Sequence, residues 1–281
     1  MKGFLTAYCR NKGAIVGAII LALVFLTAGL AGEVFPFSPW DMQSAPFMPP
    51  GEMGLWLGSD SLGRDVAAGI AYGARVSLLV GGVSTVVALA IGVTLGAVAG
   101  YAGGWVDDAL MRFTEFFQTI PSFILAVVLV AIFKPDIVSI VAAIAIVSWP
   151  PVTRVVRAEF LSLRQREFVQ AAEVLGFSRV TIVFREILPN ALSPIIVLAS
   201  LMVASAVLLE AALSFLGLGD PNLMSWGFMI GAGRSVIRMA WWMSVFPGLA
   251  IFLTVLALNL VGEGLNDALN PRLARRRGAG V

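Results

Sequence analysis

The side chains that most often carry out chemistry are almost missing from this chain of 281 residues. There is no histidine and one cysteine, Cys9. That excludes zinc sites of the usual kind, Ser-His-Asp and Cys-His nucleophile systems and histidine proton relays. Cys9 is read as an inert thiol close to a membrane span, the alternative being a lipid attachment point. No HExxH or GxSxG run occurs, and no lysine follows a glycine, so there is no Walker A phosphate cradle. A formal charge of +2 is too small to imply nucleic acid. Two places remain where polar residues stand among apolar ones in a way that asks for a function: Glu210, and the loop from Arg154 to Glu186.

Glu210 follows a long apolar run and precedes a stretch reading SFLGLG, Asp220-Pro221 and SWG. A carboxyl near hydrocarbon is costly unless solvated or paired, so it is read either as functional or as an interfacial acid bonded to the backbone that follows. The loop is more informative. From Ala158 to Leu175 it has no Gly or Pro, and Leu161, Phe168, Ala172 and Leu175 form an apolar stripe, which predicts a helix. Gly176 stops it in the manner of a left-handed C-terminal residue. Ser178 can cap a second short helix running toward Pro189. Two short helices meeting at a glycine would lie along one membrane face and offer a small knob. Ala171 and Ala172 keep its flank thin enough for close approach by another protein. An ordinary interfacial helix pair is the alternative.

The elements that must position these residues follow from composition. The chain is 59% hydrophobic and 13% charged, against about half and a quarter in soluble domains. Charge-free runs cover 13–32, 76–106, 116–133, 137–153, 187–209 and 239–262. A helix needs about 20 residues to cross hydrocarbon, so these predict an all-α membrane protein with six spans. The first run is read as an uncleaved anchor rather than a signal peptide, because its apolar stretch exceeds the ~7–15 residues of a signal core. With six spans both termini share one side, and that side holds 14 of the 19 basic residues, including Lys2, Arg112, Arg157, Arg164 and Arg275. The bias puts the termini and the 154–186 loop in the cytoplasm.

The parse is then a cytoplasmic N-terminus at 1–12, a first span at 13–32, an outer loop at 33–75, a core at 76–266 and a basic cytoplasmic tail at 267–281. The outer loop is expected to carry an amphipathic helix over 61–75, capped by Asp60 or Ser61. The core includes the 154–190 loop and an outer hairpin at 211–238. Gly217, Gly219, Pro221 and Gly227 break that hairpin too often for a spanning helix, so it is read as re-entrant at the outer mouth of a pathway. Gly92, Gly96 and Gly100 share one face of the second span, a small-residue pattern that permits close helix packing.

At the loop the sequence resembles a known family. Gln170 to Asn190, QAAEVLGFSRVTIVFREILPN, is similar to the EAA loop of binding-protein-dependent ABC importer permeases. Ala171, Ala172, Gly176, Leu188 and Pro189 match the family pattern. Gln170 stands where Glu is usual, and Glu186 where Ile is usual. LGSDSLGRD (57–65), YGARVSL (72–78), AGYAGGWVD (99–107), EAALSFLGLG (210–219), SWG (225–227) and NPRL (270–273) resemble the C-type dipeptide/oligopeptide/nickel branch.

The resemblance implies a non-catalytic permease subunit of a bacterial inner-membrane importer. It implies a second homologous permease subunit, one or two cytoplasmic ATPase subunits and an external solute-binding protein as partners, within membrane lipid. Gln170, Ala171, Ala172, Glu173, Leu175, Gly176 and Phe177, followed by Leu188 and Pro189, would form the element that couples to the ATPase. ATP and Mg²⁺ would sit on the ATPase chains, with no cofactor or metal in this one. Cargo would be di- or oligopeptides, or alternatively nickel chelates, glutathione, opines or muropeptides. Glu210, Phe215 and Trp226 are the candidates for the outer gate of the path. Three rival classes stand beside this reading. An intramembrane enzyme lacks a nucleophile with its base. An ion-coupled secondary transporter would place carboxylates at mid-span or show inverted repeats. A purely structural subunit would also explain the glycine face and the EAA loop.

Overall fold

The computed structural model describes residues 8–269. Lys2, the NPRL run at 270–273 and the arginines of the basic tail lie outside the described residues. Among the described residues the only regular elements are helices, with no strand and two isolated bridges, Met42–Arg64 and Ser59–Asp65.

Five helices are long and apolar enough to cross a membrane, and a bent pair raises the number to as many as six. The first, α1 (Lys12–Val34), starts where the Asn11 side chain accepts from the Ala14 N–H at 3.1 Å. The second, α2 (Val66–Ala102), has 37 residues, or about 55 Å at 1.5 Å each, well beyond the ~30 Å of hydrocarbon. The expected amphipathic helix over 61–75 is thus not a separate element: its residues from Val66 onward are the outer turns of α2, and Asp65 is the cap, accepting from the Ala67 N–H at 2.7 Å. A span counted between charges stops at Arg75. The chain carries Arg75 inside the helix because its guanidinium donates to the carbonyls of Ala28 (2.5 Å) and Gly29 (3.1 Å) on α1.

The third charge-free run folds as part of a sharply bent helix pair. α3 (Gly104–Thr119) and α4 (Ser122–Phe133) meet at 82° around Pro121, where proline removes a helical N–H. α5 (Ile137–Arg164) runs on through Pro150 and Pro151 past the expected end of span four. Its start is capped twice: Asp136 accepts from the Ser139 N–H at 2.7 Å, and Asp220 of a distant loop accepts from the Ile137 N–H at 3.2 Å. The Ser139 amide holds the exposed Asp136 carboxyl below its ordinary pKa.

α6 (Glu167–Val174) is short. α7 (Arg179–Phe215) opens with one helical turn, Arg179–Thr181, widens into a π-helical stretch, Ile182–Ile187, and continues as Leu188–Phe215. α8 (Trp226–Gly233) and α9 (Trp242–Leu269) complete the chain. Asn11, just before α1, donates to Asp267 in the last turn of α9 at 3.1 Å, so both ends of the described chain lie at one end of the bundle. α3, α6 and the start of α7 share that end. The 35–65 loop and α8 lie at the other.

The tightest helix pair is α2 with α5. A Cβ added to Gly92 would stand 2.5 Å from the Val152 Cβ, one on Gly96 2.6 Å from the Thr153 carbonyl, and one on Gly100 2.6 Å from the Phe160 Cβ. The three glycines are thus the contact face, and bare backbone there lets the axes close where lipid supplies no hydrophobic drive. At the end of this contact Arg157 on α5 grips Asp107 on α3 through both carboxyl oxygens.

Candidate functional site: a capped knob and an enclosed carboxyl

The helix expected from Ala158 to Leu175 is two helices. Arg166 is extended (φ −80°, ψ 146°), which ends α5 and turns α6 back toward the bundle. The turn buries Val169 and Ala172 on Val156, Phe160, Ile182 and Ile187. The stripe read from the sequence is therefore rotated: Ala172 faces inward at 5% exposure, whereas Phe168 and Leu175 face out.

α6 ends in a Schellman motif. Phe177 N–H donates to Ala172 O at 3.1 Å and Gly176 N–H to Glu173 O at 3.0 Å, with Gly176 at φ +79°. Ser178 then accepts from the Thr181 N–H at 3.2 Å and starts α7. This second helix does not stop near Pro189. Leu188 N–H reaches back five residues to Val183 O, and the wider π turn absorbs the missing donor of Pro189, so loop and span form one helix. The outer surface of this bend is apolar and unpartnered among the described residues: Val174 is 88% and Leu175 72% exposed, with Phe177 and Val180 beside them. Gln170, Ala171, Glu173 and Gly176 share that outward side. Leu188 packs partly on the core, and Pro189 is exposed.

Glu210 does not end a span. It lies on α7 five residues before the helix stops at Phe215, with 2% exposure. Ser77 on α2 donates to its Oε2 at 3.2 Å and Ser214, one turn on, to its Oε1 at 2.7 Å. Trp226 is enclosed beside it. Its backbone N–H donates to Ser77 Oγ at 3.4 Å and its indole N–H to the Ile70 carbonyl at 3.0 Å. Ser225 caps α8 by accepting from the Phe228 N–H at 3.2 Å, and a Cβ on Gly227 would stand 2.6 Å from the Ala211 Cα. The SWG run is thus a cap, an anchor and a close approach in three successive residues. Phe215 stays partly exposed, and Arg234 donates to its carbonyl at 3.3 Å while standing over its ring. The hairpin expected at 211–238 begins later, since 211–215 belong to α7.

The outer loop is a built cap. Arg64 is buried, pairs with Asp60 at 2.5 Å and lies over the Trp40 ring. Ser59 Oγ donates to the Ala45 carbonyl at 2.7 Å and accepts from the Met48 N–H at 2.8 Å, and the Trp242 indole donates to the Ser59 carbonyl at 3.0 Å. Sequence reasoning missed Ser77, Ser214, Val169 and Arg75. Only their partners in space mark them, although Ser77 and Arg75 fall within the YGARVSL run and Ser214 within EAALSFLGLG.

A family model described as the binding-protein-dependent transport system inner membrane component matches residues 92–275. The chain belongs to this family. Relatives match over nearly the whole length. The di/tripeptide transport system permease protein DppC of Pseudomonas aeruginosa is 40% identical over 97% of this chain and 92% of its own. The dipeptide transport system permease protein DppC of Alkalihalophilus pseudofirmus is 42% identical over 94% and 87%. The glutathione transport system permease protein GsiD of Pectobacterium atrosepticum is 39% identical over 97% and 91%. Among solved structures, the MetNI methionine ABC transporter in inward-facing conformations matches with a TM-score of 0.60 over 70% of this chain and 94% of that one. At 16% identity that likeness speaks for the fold alone. The transport-component family and the apolar helices make this a multi-pass membrane protein of transport rather than an enzyme.

Proposed function

We propose that this permease, with a second permease subunit, forms the translocation path of an ATP-driven importer of di- and oligopeptides in a bacterial inner membrane. One observation carries the coupling part. The bend at Gly176 is held rigid by its own backbone bonds, is fused through the π stretch to spanning helix α7, and presents Val174, Leu175 and Phe177 outward with no partner among the described residues. A rigid lever with an apolar tip is what a partner must grip to move a span. The bias of basic residues supports a cytoplasmic position for this tip, where an ATPase subunit would bind ATP and Mg²⁺. A solute-binding protein would deliver cargo at the opposite end, where α8 and the 35–65 cap lie. The ATPase can shift the permease only if it grips its inward-open and outward-open forms with different affinity. A peptide cargo is supported by the names of the relatives, and glutathione, itself a tripeptide, falls within the same chemical class.

The test is reconstitution in proteoliposomes with the permease, binding-protein and ATPase products of adjacent genes. Uptake of labelled dipeptide should require ATP and every chain. Uptake driven by a proton gradient without the ATPase would replace this reading with secondary transport.

A further inference from the structure

A groove of about 290 Å³ runs along the outside of α2 near the end that carries the Gly176 bend. Its floor and walls are Val93, Ala97 and Val98 on α2, Phe160 on α5, and Phe184 and Leu188 on α7. The π stretch forms one wall, since Phe184 lies within it and points out of the bundle. No carboxyl lines the groove. From Val93 to Ala102 the helix rises about 14 Å, close to the ~15 Å hydrocarbon depth of one leaflet.

The groove ends at Tyr101, and there the chemistry changes. Arg164 donates one N–H to the Tyr101 carbonyl at 2.8 Å and stands over the Tyr101 ring. Among the described residues its other guanidinium N–H groups meet no acceptor and no carboxylate. Trp105, at the start of α3 just past the break at Gly103, is 80% exposed, as an indole at the headgroup level would be. A trough one leaflet deep, with an arginine carrying free donors seated on the tyrosine at its polar end, matches a molecule with an acyl chain and a phosphate.

We propose that this groove is a binding site for one anionic phospholipid of the inner leaflet, with an acyl chain along Val93–Val98 and the headgroup phosphate on Arg164. A guanidinium fits phosphate by paired N–H donors, and a basic residue between helices at the cytoplasmic boundary is the usual form of an anionic headgroup site. An apolar span of a second subunit could fill the trough but would leave the Arg164 donors unpaired. Lipid meets both halves.

The experiment uses the full chain purified in its assembled complex and stripped of loose lipid. Native mass spectrometry then counts bound phosphatidylglycerol and phosphatidylcholine added at equal concentration. The expected result is one retained phosphatidylglycerol, preferred at least five-fold. Arg164→Gln should abolish the preference, Arg164→Lys should restore part of it, and Val98→Trp, at a half-exposed position, should remove the bound lipid without unfolding the chain. A photoreactive residue at Val98 in intact cells should yield an adduct with the mass of a phospholipid. Equal retention of the two lipids, an unchanged preference in Arg164→Gln, or an adduct with a polypeptide would each overturn the proposal.

Discussion

Ser77 and Glu210 stand 133 residues apart in sequence and share a 3.2 Å hydrogen bond in the interior, with the hydroxyl donating to Oε2. The same hydroxyl oxygen accepts from the Trp226 backbone, so one serine joins α2, α7 and α8. Replacing Glu210 with Leu would leave Ser77 and Ser214 without an acceptor. A stranded buried hydroxyl costs about 1–3 kcal/mol in soluble interiors and hydrogen bonds between spans average nearer ~0.6 kcal/mol. Glu210→Leu should therefore lower the melting temperature of the purified chain by about 2–6 °C. Glu210→Gln, which keeps an acceptor and adds a donor, should lie within about 1 kcal/mol of wild type. Equal melting of the Leu variant and wild type would remove this residue from the list of structural ties.

The glycine face of α2 gives a paired comparison. An alanine Cβ at Gly96 would meet the Thr153 carbonyl at 2.6 Å and the Val156 Cβ at 2.7 Å, whereas one at Gly82, on the same helix, meets nothing within 4 Å. Gly96→Ala should cost about 1–3 kcal/mol through overpacking, and Gly82→Ala should be neutral or slightly stabilising. Thermal unfolding in detergent separates them. Similar losses at both sites would mean that helix flexibility, not contact with α5, explains the glycines.

The helical fold and five of the six expected spans were legible because lipid forces backbone groups to bond within a helix, so apolar runs report spans directly, while the 116–133 run became part of a bent pair. Charges misled where the chain had a local answer. Arg75 ended the run at 75, yet its guanidinium is bonded to α1 carbonyls and the helix runs ten residues further out. The Gly176 turn and the Ser178 cap could be read because each rests on local residue chemistry. The direction in which α6 faces could not. It depends on Arg166 turning the chain so that Val169 rather than Phe168 reaches Phe160, a choice made by tertiary packing. Glu210 was visible as an acid among apolar residues, but its partner Ser77 lies on another helix and has no local signature.

That rotation of α6 changes which alanine tests docking. Ala172 is packed against the chain's own core, so Ala172→Arg should unfold the bend and cost several kcal/mol for a buried charge. Ala171, about 100° round the helix, is exposed. Ala171→Arg should leave the melting temperature within about 1 °C yet reduce co-purification of the ATPase subunit at least five-fold. Full retention of the ATPase by Ala171→Arg would move the docking surface away from this flank of α6.

Gly176 tests whether the bend transmits force. A Cβ there meets nothing within 4 Å, so a substitution acts through the backbone alone, at φ +79°. An L-residue in this region costs about 1–2 kcal/mol, more when β-branched and less for asparagine. Gly176→Val should relax the turn, break the bonds from Phe177 to Ala172 and from Gly176 to Glu173, and let α6 swing relative to α7. Because the distortion is local, the spans should remain assembled. In proteoliposomes the variant should keep most ATP hydrolysis while peptide uptake per ATP falls several-fold. Gly176→Asn should lie between it and wild type, since asparagine tolerates left-handed backbone. The graded order Gly, Asn, Val is the informative result: equal uptake in all three would show that the bend's backbone geometry does not carry the stroke, whereas equal loss in Asn and Val would point to a surface contact with the glycine itself.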